Sequence, residues 1–360
     1  MTPPLRLELR RSEPRVDPPL ANAGNRWDRR SVGTLVLHEA GASGPVGWGE
    51  ASPLPGYSPD TDADVERAVA SLGAERLAAL AALSTAGEVF TAVAALQPAG
   101  SPAACFGLET LLLDRLARAS GRPLWQLLAQ LAGTGVAPRE VPLCALLSSA
   151  EPAAAVEAAA RYVRAGVRTF KLKIGPERLL PEQEATLEAL RNRWGSDVAL
   201  RLDANGSLAR AELGPTLARL ARFDPELVEE PVAAAAPEEL ATSPCPLALD
   251  ESLQGLTHAQ RERWIERSRA HVVVLKPTAL GGLDACLRLA AAARRLGREV
   301  VVSHALEGPV GWAACAHLAL ALASPRAAGL WPLAHQRAAL PEVAHGRLLA
   351  PAEPGLGALP

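Results

Sequence analysis

From residue 141 onward the chain repeats one unit: a short apolar run rich in β-branched residues, then an amphipathic helical stretch. The runs are 141–147 (VPLCALL), 169–174 (TFKLKI), 198–204 (VALRLDA), 226–231 (ELVEEP), 247–252 (LALDES), 271–277 (HVVVLKP) and 299–305 (EVVVSHA), with 329–333 (GLWPL) a weak eighth. Helical periodicity fills 151–165, 181–193, 207–222, 259–269, 282–296 and 309–323. Apolar strands alternating with helices specify a parallel sheet whose faces are covered. Seven or eight such units predict an α/β fold of the (β/α) TIM-type barrel class rather than an open doubly wound sheet. The first strand carries no GxGxxG, and neither a P-loop nor GxSxG occurs. Upstream, 32–39 and 46–51 read as a hairpin about a GASG turn, 52–61 as a rigid Pro/Gly loop, and 62–98 and 105–119 as helices. The expected organisation is an N-terminal α+β capping domain over 1–135 and a catalytic barrel over 136–339. The tail, 340–360, is expected to run back over the first domain.

Barrel enzymes carry their chemistry at the C-terminal ends of the strands. Here those positions hold Lys171 and Lys173, then Asp203, Glu229, Asp250, Lys276 and Ser303, with 21–30 residues between successive units. The groups therefore fall on successive strands around one mouth. Three converging carboxylates need a cation to share a dry site. An all-oxygen set without Cys or His favours Mg²⁺, with Mn²⁺ as a substitute. Taken singly, each acid reads as a helix cap or loop acid; in register with the lysines, that reading fails.

Lysine is nearly absent. Of 37 basic residues only Lys171, Lys173 and Lys276 are lysine. Arginine serves wherever a fixed positive charge suffices, but guanidinium does not give up its proton. Lys171 and Lys173 share a strand face, and two neighbouring ammonium groups depress each other's pKa, which makes one a base near neutral pH. Arg201, Asp203 and Asn205 also share a parity and are candidate lining residues.

Composition excludes several classes. A hydrophobic fraction of 49% suits a globular core, and the formal net charge of −2 leaves no electrostatic footprint for nucleic acid or anionic lipid. No run reaches the ~18 apolar residues of a membrane span. No signal-peptide h-region is visible, and the five cysteines are scattered without a CxxC, so a cytoplasmic setting with reduced thiols is expected.

Lys171-Leu-Lys173, Leu202-Asp203-Ala204-Asn205, Glu229-Glu230-Pro231, Asp250-Glu251-Ser252 and Lys276-Pro277-Thr278, in this order, resemble the enolase superfamily in its muconate-lactonizing subgroup. Gly47-Trp48-Gly49-Glu50, the Ser52–Ser58 run SPLPGYS and Val302-Ser303-His304-Ala305-Leu306-Glu307 are most similar to its o-succinylbenzoate synthase family, the dehydratases of menaquinone biosynthesis. His304 departs from the usual small residue at its position.

The resemblance implies a modified, enolase-like barrel and a carbon–oxygen lyase acting on a small carboxylate. Asp203, Glu229 and Asp250 would hold Mg²⁺, Lys173 would take the α-proton, Lys276 would stabilise charge from the opposite face, and Lys171 would tune Lys173. For binding, Arg201, Asn205, Ser303, Glu307, Arg26 and Tyr57 are candidates. Arg26 belongs to NRWDRR, either a loop closing the site or a surface turn. Glu307 either holds the succinyl chain or caps the next helix. His304 is expected to be a wall residue, and Trp264 and Trp312 core or interface residues. The same catalytic set occurs in N-succinylamino acid racemases, so both activities stay open, as does a homo-oligomer. A non-catalytic binding barrel is disfavoured because all three acids and Lys173 are present.

Overall fold

Five strands open the chain: β1 (Leu5–Ser12), β2 (Arg15–Ala21), β3 (Arg26–Arg29), β4 (Val32–Glu39) and β5 (Pro45–Glu50). Five helices follow: α1 (Asp62–Ala70), α2 (Ala74–Ala81), α3 (Ala86–Leu96), α4 (Pro102–Ala119) and α5 (Leu124–Ala132). This computed structural model describes residues 4–21, 25–96, 100–135, 139–149, 151–176, 180–240, 243–337 and 341–359. β1, β4 and β5 form an antiparallel sheet, and β2 and β3 a separate ribbon. The expected hairpin is β4–β5; β1 and the ribbon escaped sequence reading because their many charges mask an alternating pattern. The sheet packs on α4 through glycine: a Cβ on Gly49 would collide with the Gly107 carbonyl.

The repeating region runs β6 (Glu140–Pro142), β7 (Cys144–Leu147), α6 (Pro152–Arg164), β8 (Thr169–Lys173), α7 (Leu180–Trp194), β9 (Ala199–Asp203), α8 (Leu213–Ala221), β10 (Leu227–Glu229) and β11 (Leu247–Leu249). It continues with α9 (His258–Arg267), β12 (Val272–Leu275), α10 (Pro277–Leu280), α11 (Leu283–Arg295), β13 (Glu299–Val302) and α12 (Pro309–Leu322), and ends with β14 (Val343–Ala344) and β15 (Arg347–Leu349). β7 to β13 make one curled seven-stranded parallel sheet in simple sequential order. The strand expected over 141–147 divides: β6 pairs antiparallel with β15, and only β7 joins the parallel sheet. The expected eighth strand is not one. Instead Ala328 makes a parallel bridge to Leu143 and Gly329 one to Ser303, beside the two edge strands. Trp331-Pro332 follows, and proline has no N–H to extend a ladder.

Two carboxylates from the N-terminal third cap helices of the repeating region. Glu50 accepts from the amides of Gly308 (2.6 Å) and Gly311 (2.7 Å) at the start of α12. Glu109 on α4 accepts from those of Leu283 (2.6 Å) and Asp284 (3.1 Å) at the start of α11. The oxygens of both carboxylates satisfy free N–H groups of these helix starts, while burial raises both pKa values, that of Glu109 up to about 8. Glu50 of the Gly47–Glu50 motif thus joins β5 to the start of α12, while Gly47 and Gly49 pack on α4. The tail lies against α4 and α5, where Leu356 N donates to Asp114 Oδ1 (2.6 Å) and Leu124 N to the Gly355 carbonyl (2.8 Å). No described helix is long and apolar enough to cross a membrane.

One large hydrophobic core joins the sheet, its helices and the N-terminal helices. A second, small cluster of Val16, Leu20, Trp27, Leu54 and Leu306 stands apart from it. It unites the β2–β3 ribbon, the loop after β5 and the loop after β13.

Candidate active site

The last residues of three neighbouring strands stand in one row. Lys173 is in register with Asp203, and Asp203 with Glu229. Asp250 follows β11 directly, and Lys276 follows β12. Just beyond the row, Asn205 (φ 44°) and Glu230 (φ 40°) adopt left-handed backbone. Such conformations are strained for a residue like Glu, and here they aim side chains. Asn205 receives Lys173; Glu230 accepts from the Asp250 amide (2.8 Å) and the Ser252 hydroxyl.

The three lysines have three different environments. Lys171 Nζ lies 2.8 Å from both Asp203 Oδ2 and Glu229 Oε1. Burial alone would lower its pKa, but the Asp203 and Glu229 charges outweigh burial and raise it. Lys276 Nζ pairs with Asp250 Oδ2, donates to Tyr57 Oη (2.9 Å) and lies 4.7 Å from the centroid of that ring. Asp250 and Glu251 likewise outweigh burial and raise its pKa. Lys173 Nζ donates to a neutral amide oxygen, Asn205 Oδ1, at 2.9 Å. Its pKa is lowered, first by burial; Asp203 opposes the shift, and Lys171 and Lys276 add to it. The depression expected from paired ammonium groups is therefore present on Lys173 but secondary to desolvation.

Five carboxylates gather here against three ammonium groups. Burial pushes Glu229, Glu230 and Glu251 each up to about 7, and burial followed by Glu251 raises Asp250. Asp203 is held low: burial pushes it up, and Lys171, Lys173 and Lys276 together prevail. Asn205 Nδ2 donates to Glu251 Oε1 (2.9 Å), while Glu251 Oε2 is buried without a partner among the described residues. Among those residues no group of three or more His, Cys, Asp or Glu is arranged to hold a metal ion, and Lys171 and Lys276 lie against oxygens of Asp203, Glu229 and Asp250. The donor chemistry nevertheless fits a hard divalent cation: all-oxygen ligands, carboxylates in excess, and a buried unpartnered oxygen beside them.

The lysines and Asp203 open into a cavity of about 170 Å³, whose lining does not include Glu229, Glu230, Asp250 or Glu251. Lys171, Lys173, Asp203, Asn205, Lys276, Ser303 and Tyr57 all line it. A neighbouring cavity of about 260 Å³ shares Leu20, Leu146, Ser148 and Lys173 with it, and Arg26 lies on its wall. Arg26 is exposed and paired with Asp28 (3.0 Å), at the end of β3 that reaches this side chamber.

Besides Arg26, two expected binding residues are not in the cavity. Arg201 points inward, as its parity requires, but two residues below Asp203. It pairs there with Glu226 (2.7 Å) and donates to the Ala327 carbonyl (2.7 Å), within a network that includes Arg326. Glu307 is fully buried, accepting from Thr278 Oγ1 (2.5 Å) and the Ala305 amide (2.7 Å). It neither reaches the cavity nor caps α12, a task that falls to Glu50. In NRWDRR, which forms β3 and its flanks, Arg30 is buried rather than in a surface turn. It donates to the carbonyls of Leu306 (2.9 Å), Pro53 (2.7 Å), Ser31 and Ser52. Trp312 is core, donating to the Leu330 carbonyl (3.1 Å), and Trp264 packs against that core. The aromatic walls are Tyr57, a candidate from the sequence, with Trp27, Tyr162 and Trp331, which were not; Trp27 lies in NRWDRR and Trp331 in the run expected as an eighth strand.

Residues 154–360 match the family model described as enolase C-terminal domain-like. The chain belongs to the enolase superfamily, in its muconate-lactonizing subgroup. It is 33% identical to the o-succinylbenzoate synthase of Thermosynechococcus vestitus over 327 residues, covering 87% of this chain and 88% of that protein. It is 34% identical to the N-succinylamino acid racemase of Thermus thermophilus over 230 residues, covering 61% and 57%. The dipeptide epimerase of Enterococcus faecalis, solved with Mg and the dipeptide L-Leu-L-Tyr, shares the fold with a TM-score of 0.84 over 99% of both chains at 23% identity.

Proposed function

We propose that this protein is an o-succinylbenzoate synthase-like hydro-lyase. It would convert 2-succinyl-6-hydroxy-2,4-cyclohexadiene-1-carboxylate to o-succinylbenzoate and water, in the cytoplasm, within menaquinone biosynthesis. The supporting scaffold is a barrel closed by the 328–329 segment, under an N-terminal capping domain. The observation that carries the reading is the inequality of Lys173 and Lys276. Lys173 rests on a neutral amide with a lowered pKa, as a base must. Lys276 is locked by Asp250 and Tyr57 with a raised pKa, as a permanent cation must be. One base and one fixed cation suit one-base elimination.

In this mechanism Lys173 Nζ takes the proton α to the carboxylate, and the electron pair forms the new C=C bond as the C–O bond breaks. Lys173 returns the proton to the departing hydroxyl, so water leaves from the same face. Lys276 stabilises negative charge from its own side, and Tyr57 holds it there. Lys171, bridging Asp203 and Glu229, helps hold Asp203 ionised and opposes the burial that raises Glu229. Asp203, Glu229 and Asp250 would hold Mg²⁺, which supplies a Lewis acid for the substrate carboxylate.

A second reading, N-succinylamino acid racemase, is favoured by the 34% identity to the Thermus protein. The deciding experiment assays the purified protein with the cyclohexadiene substrate beside N-succinyl amino acids. Dehydration at least comparable to racemisation supports the first reading; racemisation alone replaces it with the second.

A further inference from the structure

His304 lines the cavity beside Lys173 and Lys276, and no step above uses it. Its Nδ1 accepts a hydrogen bond from the Leu306 amide (3.1 Å). The proton of the neutral ring therefore sits on Nε2. Gln336, fully buried, holds this loop: its Oε1 accepts from the Leu333 amide (2.8 Å), so its Nε2 is the donor to the Glu307 carbonyl (2.7 Å). Burial, then the Lys276 charge, pushes the ring down to about 3, so it stays neutral. His304 Nε2 has no partner among the described residues. A donor left over in a cavity lined by leucines (Leu20, Leu54, Leu333) as well as by the lysines calls for an acceptor on the ligand. The nearby Lys276 ammonium excludes a cationic group there. On the proposed function the reacting carboxylate would be held by the cation that Asp203, Glu229 and Asp250 would bind, so the acceptor is assigned to the other oxygen-bearing part of the substrate.

We infer that His304 is a substrate-binding residue whose Nε2–H donates to an oxygen of the acyl arm and so orients the α-carbon toward Lys173. The inference rests on the reading that the substrate bears a succinyl arm. It assigns His304 the work of a donor rather than a base.

Steady-state kinetics of His304→Leu and His304→Gln test it. His304→Leu should raise KM about tenfold, the range for one lost hydrogen bond, with kcat within about threefold. His304→Gln keeps an amide donor and should return KM to within about threefold of wild type. In ¹⁵N spectra of the wild type at neutral pH, the His304 signals should show protonated Nε2 and should shift on addition of o-succinylbenzoate. An unchanged KM in His304→Leu, or equal damage in both variants, overturns the inference. If the variants do not fold, the wild-type resonance decides: no shift at saturating product overturns it. A wild type that turns over neither the cyclohexadiene nor any N-succinyl amino acid overturns the functional reading and this inference together. Turnover of either substrate with KM indifferent to position 304 overturns this inference alone.

Discussion

Tyr57 donates its hydroxyl proton to Asp250 Oδ1 (3.0 Å) and accepts one from Lys276 Nζ (2.9 Å), so a loop of the N-terminal third holds two groups at strand ends 193 and 219 residues away. Burial, then Asp250, pushes the phenol pKa well up, so Tyr57 stays protonated. The loop therefore holds Asp250 and Lys276 as well as forming part of the cavity wall. Tyr57→Phe keeps the ring against Lys276 and removes both hydrogen bonds. Turnover should fall by about 10-fold or more, as expected for hydrogen bonds to charged groups. A kcat within twofold of wild type would show that Asp250 alone holds Lys276.

The lysines separate elimination from racemisation. Lys173→Arg keeps charge and removes the titratable amine, so dehydration should drop by roughly 10²–10⁴-fold. Lys276→Arg keeps the cation and should be milder for dehydration, yet as damaging as Lys173→Arg for any racemisation, which needs a base on each face. Measuring both activities in both variants gives the test. Near-normal dehydration in Lys173→Arg with loss in Lys276→Arg would reverse the assigned faces.

Chelation should abolish turnover, and Mg²⁺ or Mn²⁺ should restore it. Asp250→Asn removes a carboxylate from the proposed donor set and should weaken metal binding, read by calorimetry on the chelated protein. Full activity in metal-free buffer would refute the role given to the acids.

His317 predicts a pH dependence of stability. It is fully buried, and its Nδ1 accepts from the Trp125 amide (2.9 Å). Burial lowers its pKa from the ordinary 6.5 of a histidine to about 3. The unfolded chain takes up a proton below 6.5 that the folded chain refuses until about 3. Stability from this site is present above pH 6.5 and is lost as pH falls through that window. His317→Asn retains an acceptor without a titrating group. Its unfolding free energy should lose about one proton's worth of slope, ~1.4 kcal/mol per pH unit, between those limits. Parallel denaturation curves for the two proteins across pH 4–6 would contradict this.

Arg30 should be a stability residue. Arg30→Met removes the donor to four carbonyls and leaves those of Leu306, Pro53 and Ser52 in a buried setting. A loss of about 2–4 kcal/mol is expected in chemical denaturation, from unsatisfied buried acceptors. A change below about 0.5 kcal/mol, typical of surface sites, would place those carbonyls in contact with water.

Local pattern was enough for the repeating strand–helix units, the β4–β5 hairpin and the series Lys171, Lys173, Asp203, Glu229, Asp250 and Lys276. Strand propensity, helical period and the spacing of strand ends are properties of neighbouring residues, and parallel pairing in sequential order turns that spacing into adjacency. Parity told which side of the sheet a residue faces but not at what height, so Arg201 and Asp203 looked alike although one pairs with Glu226 and the other with Lys171. Only the tertiary structure decided which partner each amine takes, a neutral amide for Lys173 and carboxylates for Lys171 and Lys276. It alone brought Trp27, Leu54 and Tyr57 over the strand ends, buried Glu307 beneath them, and gave Glu50 and Arg30 their work as joints. Those outcomes rest on contacts such as Arg30 to Leu306, 276 residues apart, where burial and charge depend on chain segments that no local period reports.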